Sequence, residues 1–151
     1  MTNHRLLLIS RDDISRVASS KEGDQLFKAL ARLTRGDYEL LATAPQPDKW
    51  SKEHGGPDDT RLGPDSIRRR LAEAGGLLEG VYYVPKSLLT QKRNREQALH
   101  DMMSRYAVKP RHCFLFSSSG KFVKAATEIG IKAVYLGKDR SLLTELEKLI
   151  D

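Results

Sequence analysis

Arg5-Leu6-Leu7-Leu8-Ile9-Ser10-Arg11-Asp12-Asp13-Ile14 is the stretch on which the fold turns. Leu6 to Ile9 is an unbroken aliphatic run, with none of the polar alternation of a half-exposed strand. Such a run fits a strand covered on both faces, as inside a parallel sheet. It stops at Ser10, and Asp12 and Asp13 follow at once, so carboxylates stand at the carboxyl end of a strand. An Asp in that place is commonly a turn or cap residue, and catalysis is the sharper reading of the same position.

Further short aliphatic or β-branched runs lie at Tyr38 to Thr43, Val81 to Val84, His112 to Phe116 and Lys132 to Leu136. They alternate with stretches of helical period. Leu26, Leu30 and Leu33 share a helical face, as do Ile67, Leu71 and Ala74, and Leu99, Met102, Met103 and Tyr106. Phe122, Ala126 and Ile129, then Leu142, Leu146 and Leu149, repeat that spacing. These are core stripes, and their alternation with strands predicts an α/β fold, a parallel sheet with helices on both faces. Gly36-Asp37 closes the first of these helices, Gly63-Pro64-Asp65-Ser66 opens the second and Gly75-Gly76 ends it. Ala44 to Leu62, rich in Pro, Gly, Asp and Lys, reads as a long loop beyond the second strand. Loops at the carboxyl ends of parallel strands border the ligand crevice, so a lid and a plain surface loop are both open readings.

A chain of 151 residues with 39% hydrophobic and 30% charged residues is expected to form a single domain, 1–151, around a full core. No apolar run approaches the roughly 20 residues of a membrane span, and the start lacks a secretory pattern, so no membrane partner and a cytoplasmic location are expected. The lone Cys113, inside Cys113-Phe114-Leu115-Phe116, reads as a buried structural thiol. His4, His54, His100 and His112 show no ligand spacing, and a zinc site is not expected. The net charge of +6 admits an acidic partner. Its densest clusters, Arg68-Arg69-Arg70 and Lys92-Arg93-Asn94-Arg95, read first as solvated helix faces. With 5 Tyr, 4 Phe and 1 Trp and no basic-aromatic interleaving, nucleic acid is not favoured. Ser117-Ser118-Ser119-Gly120-Lys121 fails as a nucleotide P-loop, because Leu115 and Phe122 stand where Gly and Ser or Thr are needed. A serine-rich turn leading into a helix can still present amide hydrogens to an anion.

The order and spacing of these segments resemble the haloacid-dehalogenase (HAD) superfamily, in its capless group of histidinol-phosphate and heptose bisphosphate phosphatases. Ser10-Arg11-Asp12-Asp13-Ile14 resembles that family's opening Asp-x-Asp-Gly-Thr, with Ser10 replacing the nucleophile and Asp12 in the place of the acid/base. Leu40-Leu41-Ala42-Thr43-Ala44-Pro45 is similar to the second motif, in which Thr43 would hydrogen-bond the phosphoryl group. Val81-Tyr82-Tyr83-Val84-Pro85 resembles the lead-in to a zinc loop, but Val84 and Lys86 stand at the ligand positions. Gln91-Lys92-Arg93-Asn94-Arg95 resembles the family's basic stretch, and Lys92 and Arg93 would neutralise the phosphoryl charge. The fourth motif falls on Phe116 to Phe122, where Ser118 and Phe122 occupy the positions of magnesium-binding acids. The resemblance implies a three-layer Rossmann-like (HAD-like) α/β sheet without a large cap domain. It also implies a phosphate subsite of Thr43, Lys92, Arg93 and Ser118.

That family transfers phosphoryl groups through a carboxylate nucleophile, aided by magnesium held between carboxylates. A serine hydroxyl is neutral at pH 7, so Ser10 neither attacks phosphorus readily nor holds the metal well. Phe122 cannot ligate a metal at all. The resemblance therefore implies a degenerate, non-catalytic binding or regulatory module with no cofactor, its partner being a phosphorylated small molecule or a protein. The alternative is a working phosphohydrolase with magnesium, in which Asp12 and Asp13 take over metal and nucleophile duties in a shifted register. On the first reading, purified protein shows no magnesium-dependent hydrolysis of simple phosphate monoesters above background, because most of a many-order rate enhancement has gone. Robust turnover abolished by Ser10→Ala or Asp12→Asn would promote the alternative.

Overall fold

The computed structural model describes residues 4–45, 64–84, 92–138 and 140–150. Within them Leu6 to Ile9 are fully buried in β1 (Arg5–Ser10). β1 pairs in parallel with β2 (Tyr38–Pro45) on one side and β4 (Cys113–Ser117) on the other. β3 (Leu78–Val84) and β5 (Lys132–Tyr135) complete a five-stranded parallel sheet of order β3-β2-β1-β4-β5. The strand beginning near Leu6 is thus central, as the sequence implies.

Side chains of successive strand residues point to opposite faces, and β1 divides accordingly. Leu7 and Ile9 enter a core with α1 (Arg11–Ala18), α2 (Gly23–Arg35), α3 (Pro64–Glu73) and α6 (Leu142–Glu147). Leu6 and Leu8 enter a second core with α4 (Lys92–Arg105) and α5 (Gly120–Glu128). From β1 the chain steps outward to β2 and β3 with its helices on the first face, then crosses to β4 and β5 with its helices on the second. Reversing direction and face together is what right-handed crossovers require. The sheet, its helical layers and the absence of a large cap among the described residues agree with the three-layer Rossmann-like expectation.

Several local readings are corrected. α1 starts directly after Ser10, where the sequence reading placed no helix, because its eight residues bury only Asp13, Ile14 and Ala18 and leave too short a stripe to show a period. β3 begins at Leu78 rather than Val81. Gly80 interrupts the β-rich pattern there, and the pairing register shifts between Leu40 and Leu41 opposite it. β2 runs on through Ala44 to Pro45, past the expected start of the long loop; residues 46–63 lie outside the described residues. The Val84-Lys86 comparison is likewise only half placed, since Lys86 is not described.

The Arg68-Arg69-Arg70 cluster is more than a solvated face. Arg70 lies 4.4 Å above the Phe27 ring and donates to the Ala18 carbonyl at 3.0 Å, tying α3 to α1 and α2. Arg68 donates to the Leu78 carbonyl at 2.9 Å, fixing α3 against the start of β3. Gly75, at φ +93°, takes the left-handed turn that ends α3. A side chain at Gly76 would meet the Ala31 Cα at 2.8 Å, so α2 and α3 approach there as only glycine permits. No helix of the described residues is long and apolar enough to cross a membrane.

Cys113 is fully buried at the start of β4, and burial pushes its thiol up to about 12 from 9.0. The folded protein therefore keeps a proton that the unfolded chain releases. This contribution to stability is complete below about pH 9 and is lost as pH rises towards 12. Cys113→Ala should make the alkaline fall in unfolding free energy shallower, by up to about 1.4 kcal/mol per pH unit. Urea unfolding at stepped pH measures it; identical slopes would show that the thiol ionises freely in the native state.

Candidate functional site

The strand order reverses between β1 and β4, and in open α/β sheets the crevice at the carboxyl ends beside such a switch point takes ligands. Ser10 ends β1, and its register partner on β2 is Thr43. Ile9 pairs with Phe116 on the other side, so Ser10 and Ser117 are the next residues of adjoining strands. These ends open onto a cavity of about 310 Å³. Ser10, Asp12, Thr43 and Ser118 all line it, so four residues selected from three motifs converge. Lys92 and Arg93 lie in the first turn of α4, and their side chains are outside the described residues.

Two cations that the sequence reading did not single out complete the lining. Arg95, on α4, is 9% exposed and faces the cavity. Its signal was helical phase: residues 95, 99 and 102 continue the Leu99 and Met102 stripe by one turn, which turns Arg95 inward. Arg16 lies four residues beyond Asp12, on the same face of α1. It could not be placed without recognising that helix.

The adjacent acids Asp12 and Asp13 have separate fates. Asp12 is 65% exposed at the cavity, with its carboxylate 3.9 Å from the Arg11 guanidinium. Asp13 is 2% exposed and is not part of the lining. Its carboxylate accepts the Ser118 N–H at 3.0 Å and sits 3.5 Å from the Arg16 guanidinium. The nucleophile duty that a shifted register would assign to Asp13 therefore falls on a carboxylate already engaged in holding the β4 loop.

The serine loop is ordered by its own hydroxyls. The Ser119 N–H donates to Ser117 Oγ at 3.0 Å, and Ser119 Oγ accepts from the Phe122 N–H at 3.4 Å, capping α5. With Asp13 holding the Ser118 amide, the amides of Ser118, Ser119 and Phe122 are all engaged by side chains of the fold. Phe122, 9% exposed, joins the second core and also lines the cavity, placing carbon where the resemblance expects a metal-binding acid.

The lining thus offers one carboxylate, neutral hydroxyls and two guanidinium groups. Magnesium prefers carboxylate and water oxygens in an octahedron, and nearby fixed cations repel it. The donor set does not fit that ion. Among the described residues no group of three His, Cys, Asp or Glu side chains could hold a metal.

No family model and no curated protein matches the sequence. Solved structures match it along nearly its whole length. D,D-heptose 1,7-bisphosphate phosphatase from B. bronchiseptica, complexed with magnesium and phosphate, superposes with a TM-score of 0.69 at 19% identity, covering 97% of this chain and 98% of that one. An uncharacterized protein from Corynebacterium glutamicum gives 0.59 at 18% identity, over 95% and 93%. A HAD-family enzyme from Bacteroides thetaiotaomicron, complexed with magnesium and inorganic phosphate, gives 0.50 at 10% identity, over 98% and 100%. The fold is the HAD-like α/β fold.

Asp13→Ala removes the charged acceptor of the Ser118 N–H and should cost about 1–3 kcal/mol, the worth of a hydrogen bond to a charged group. Asp12→Ala, at an exposed carboxylate, should stay within about 0.5 kcal/mol of wild type. Urea unfolding separates the two, and exchange of the Ser118 amide should accelerate only in the Asp13 variant. Equal effects would mean that the Asp13–Ser118 bond does not hold the loop.

Proposed function

We propose that this chain is a non-catalytic module on the HAD-phosphatase scaffold, binding a phosphorylated ligand without metal in the cavity of Ser10, Thr43, Ser118 and Arg95. The observation that carries it is the charge of the lining. Two guanidinium groups, one of them 3.5 Å from the buried Asp13 carboxylate, and one exposed carboxylate border the cavity, where the family chemistry calls for several carboxylates balanced by magnesium. A phosphoryl group suits such a lining. A guanidinium gives it charge-assisted and bidentate hydrogen bonds, and the Ser10, Thr43 and Ser118 hydroxyls are further donors. Relatives in fold named for phosphatase activity or for bound phosphate support the choice of anion.

A working phosphohydrolase is the second reading, favoured by Asp12, which lines the cavity beside Ser10. It would need a nucleophile other than the engaged Asp13 and a further carboxylate to hold magnesium. Inorganic phosphate titrated by NMR, with a chelator present, tests the proposal. Weak, salt-sensitive binding should shift the Ser10, Thr43 and Ser118 signals. Arg95→Ala should weaken it about tenfold or more, as losing a hydrogen bond from a charged group implies. Lys92→Ala and Arg93→Ala report whether those side chains reach the anion. Binding unchanged in all three variants, or shifts confined elsewhere, would show a vestigial cavity. Binding that requires magnesium would favour the second reading.

A further inference from the structure

We infer that a second anion site lies at the opposite ends of the strands and is suited to a small oligophosphate, independently of what the first cavity binds. A recess of about 520 Å³ opens there. Arg5 begins β1, Lys132 begins β5, Arg111 lies in the 3-10 turn Pro110–His112 that precedes β4, and Lys148 follows α6. Four cations from four segments face one recess, and its lining contains no Asp or Glu among the described residues. The Lys148 ammonium pairs with Glu145 Oε2 at 2.9 Å, leaving the lining strongly positive.

Two of these cations are already held in place. The Arg5 guanidinium lies 5.6 Å from the centre of the Tyr38 ring, and its Nη1 donates to Tyr38 Oη at 3.3 Å. Lys132 Nζ lies 5.2 Å from the centre of the Phe114 ring, and the Tyr38 and Phe114 rings are tilted 59° to each other with centres 5.6 Å apart. Long side chains held this way lose less freedom when a ligand arrives. Converging like charges without carboxylates repel one another, and a polyanion removes that repulsion. Tyr38 is 7% exposed and both rings carry cations, so no free ring is left on which a base could stack. Recognition therefore falls to charge distributed over several positions within a concave space of small-ligand size.

Tripolyphosphate is the probe, titrated into the isotope-labelled full chain with orthophosphate alongside. Shifts should map to Phe114, Lys132 and Leu149, and tripolyphosphate should bind at least about tenfold more tightly than orthophosphate, since it meets several cations at once. The double variant Arg111→Glu with Lys132→Glu changes two exposed side chains and should weaken binding about tenfold or more. A circular dichroism spectrum matching wild type confirms its fold, and Lys148→Ala provides an independent second reading. Equal affinity for the two anions, shifts confined to Ser10, Thr43 and Ser118, or binding unchanged in both variants would overturn the site. A single-stranded oligonucleotide binding more tightly than tripolyphosphate at the same residues would replace the oligophosphate with a nucleic-acid backbone.

Discussion

Parallel pairing on both sides of β1 leaves Leu6 to Ile9 no edge and no exposed face, and the remaining layers are arranged to satisfy that constraint. Each face of the strand needs its own cover of helices. Leu7 and Ile9 draw α1, α2, α3 and α6 to one side, while Leu6 and Leu8 draw α4 and α5 to the other. The change of face after β3 coincides with the reversal of strand order, which opens a crevice beside Ser10. Core packing and site position are therefore consequences of the same strand.

The bond from the Ser118 amide to Asp13 ties the loop after β4 to the first turn of α1. Asp13 is buried and acts on backbone. A buried carboxylate that accepts a loop amide fixes the loop, because losing the amide leaves the acceptor unsatisfied. The adjacent Asp12 keeps its exposure and reaches the cavity. Two neighbouring acids thus serve stability and the site separately, as the rotation of α1 dictates.

Positive charge is spread unevenly. Arg68 and Arg70 serve as ties between α3 and its neighbours, so part of the net charge of +6 is structural. At the carboxyl ends of the strands, two guanidinium groups from α1 and α4 border neutral hydroxyls. At the amino ends, four cations share a recess with the buried Tyr38 ring and the half-buried Phe114 ring. The two recesses differ in composition: hydroxyls dominate the first, and cations resting on aromatic faces dominate the second.

Local pattern determined much of this protein. An unbroken aliphatic run of this length fits a strand covered on both faces, and alternating apolar stripes of helical period supply the cover, so the parallel α/β architecture was legible in the sequence. The resemblance to the HAD family singled out Ser10, Asp12, Thr43 and Ser118, and the structure brings them to one cavity. Local pattern missed α1, whose eight residues bury too little to show a period, and with it the partition of Asp12 from Asp13. Arg95 was visible only as part of a basic cluster, because its inward direction depends on the phase at which α4 packs on the sheet. The recess of Arg5, Arg111, Lys132 and Lys148 had no local signature. Those residues are far apart along the chain, and only the pairing of β1 with β4 and of β4 with β5 brings them to one end of the sheet. Periodicity is a short-range property that sequence carries directly, whereas the meeting of distant charges is set by strand order and register, which the tertiary structure alone decides.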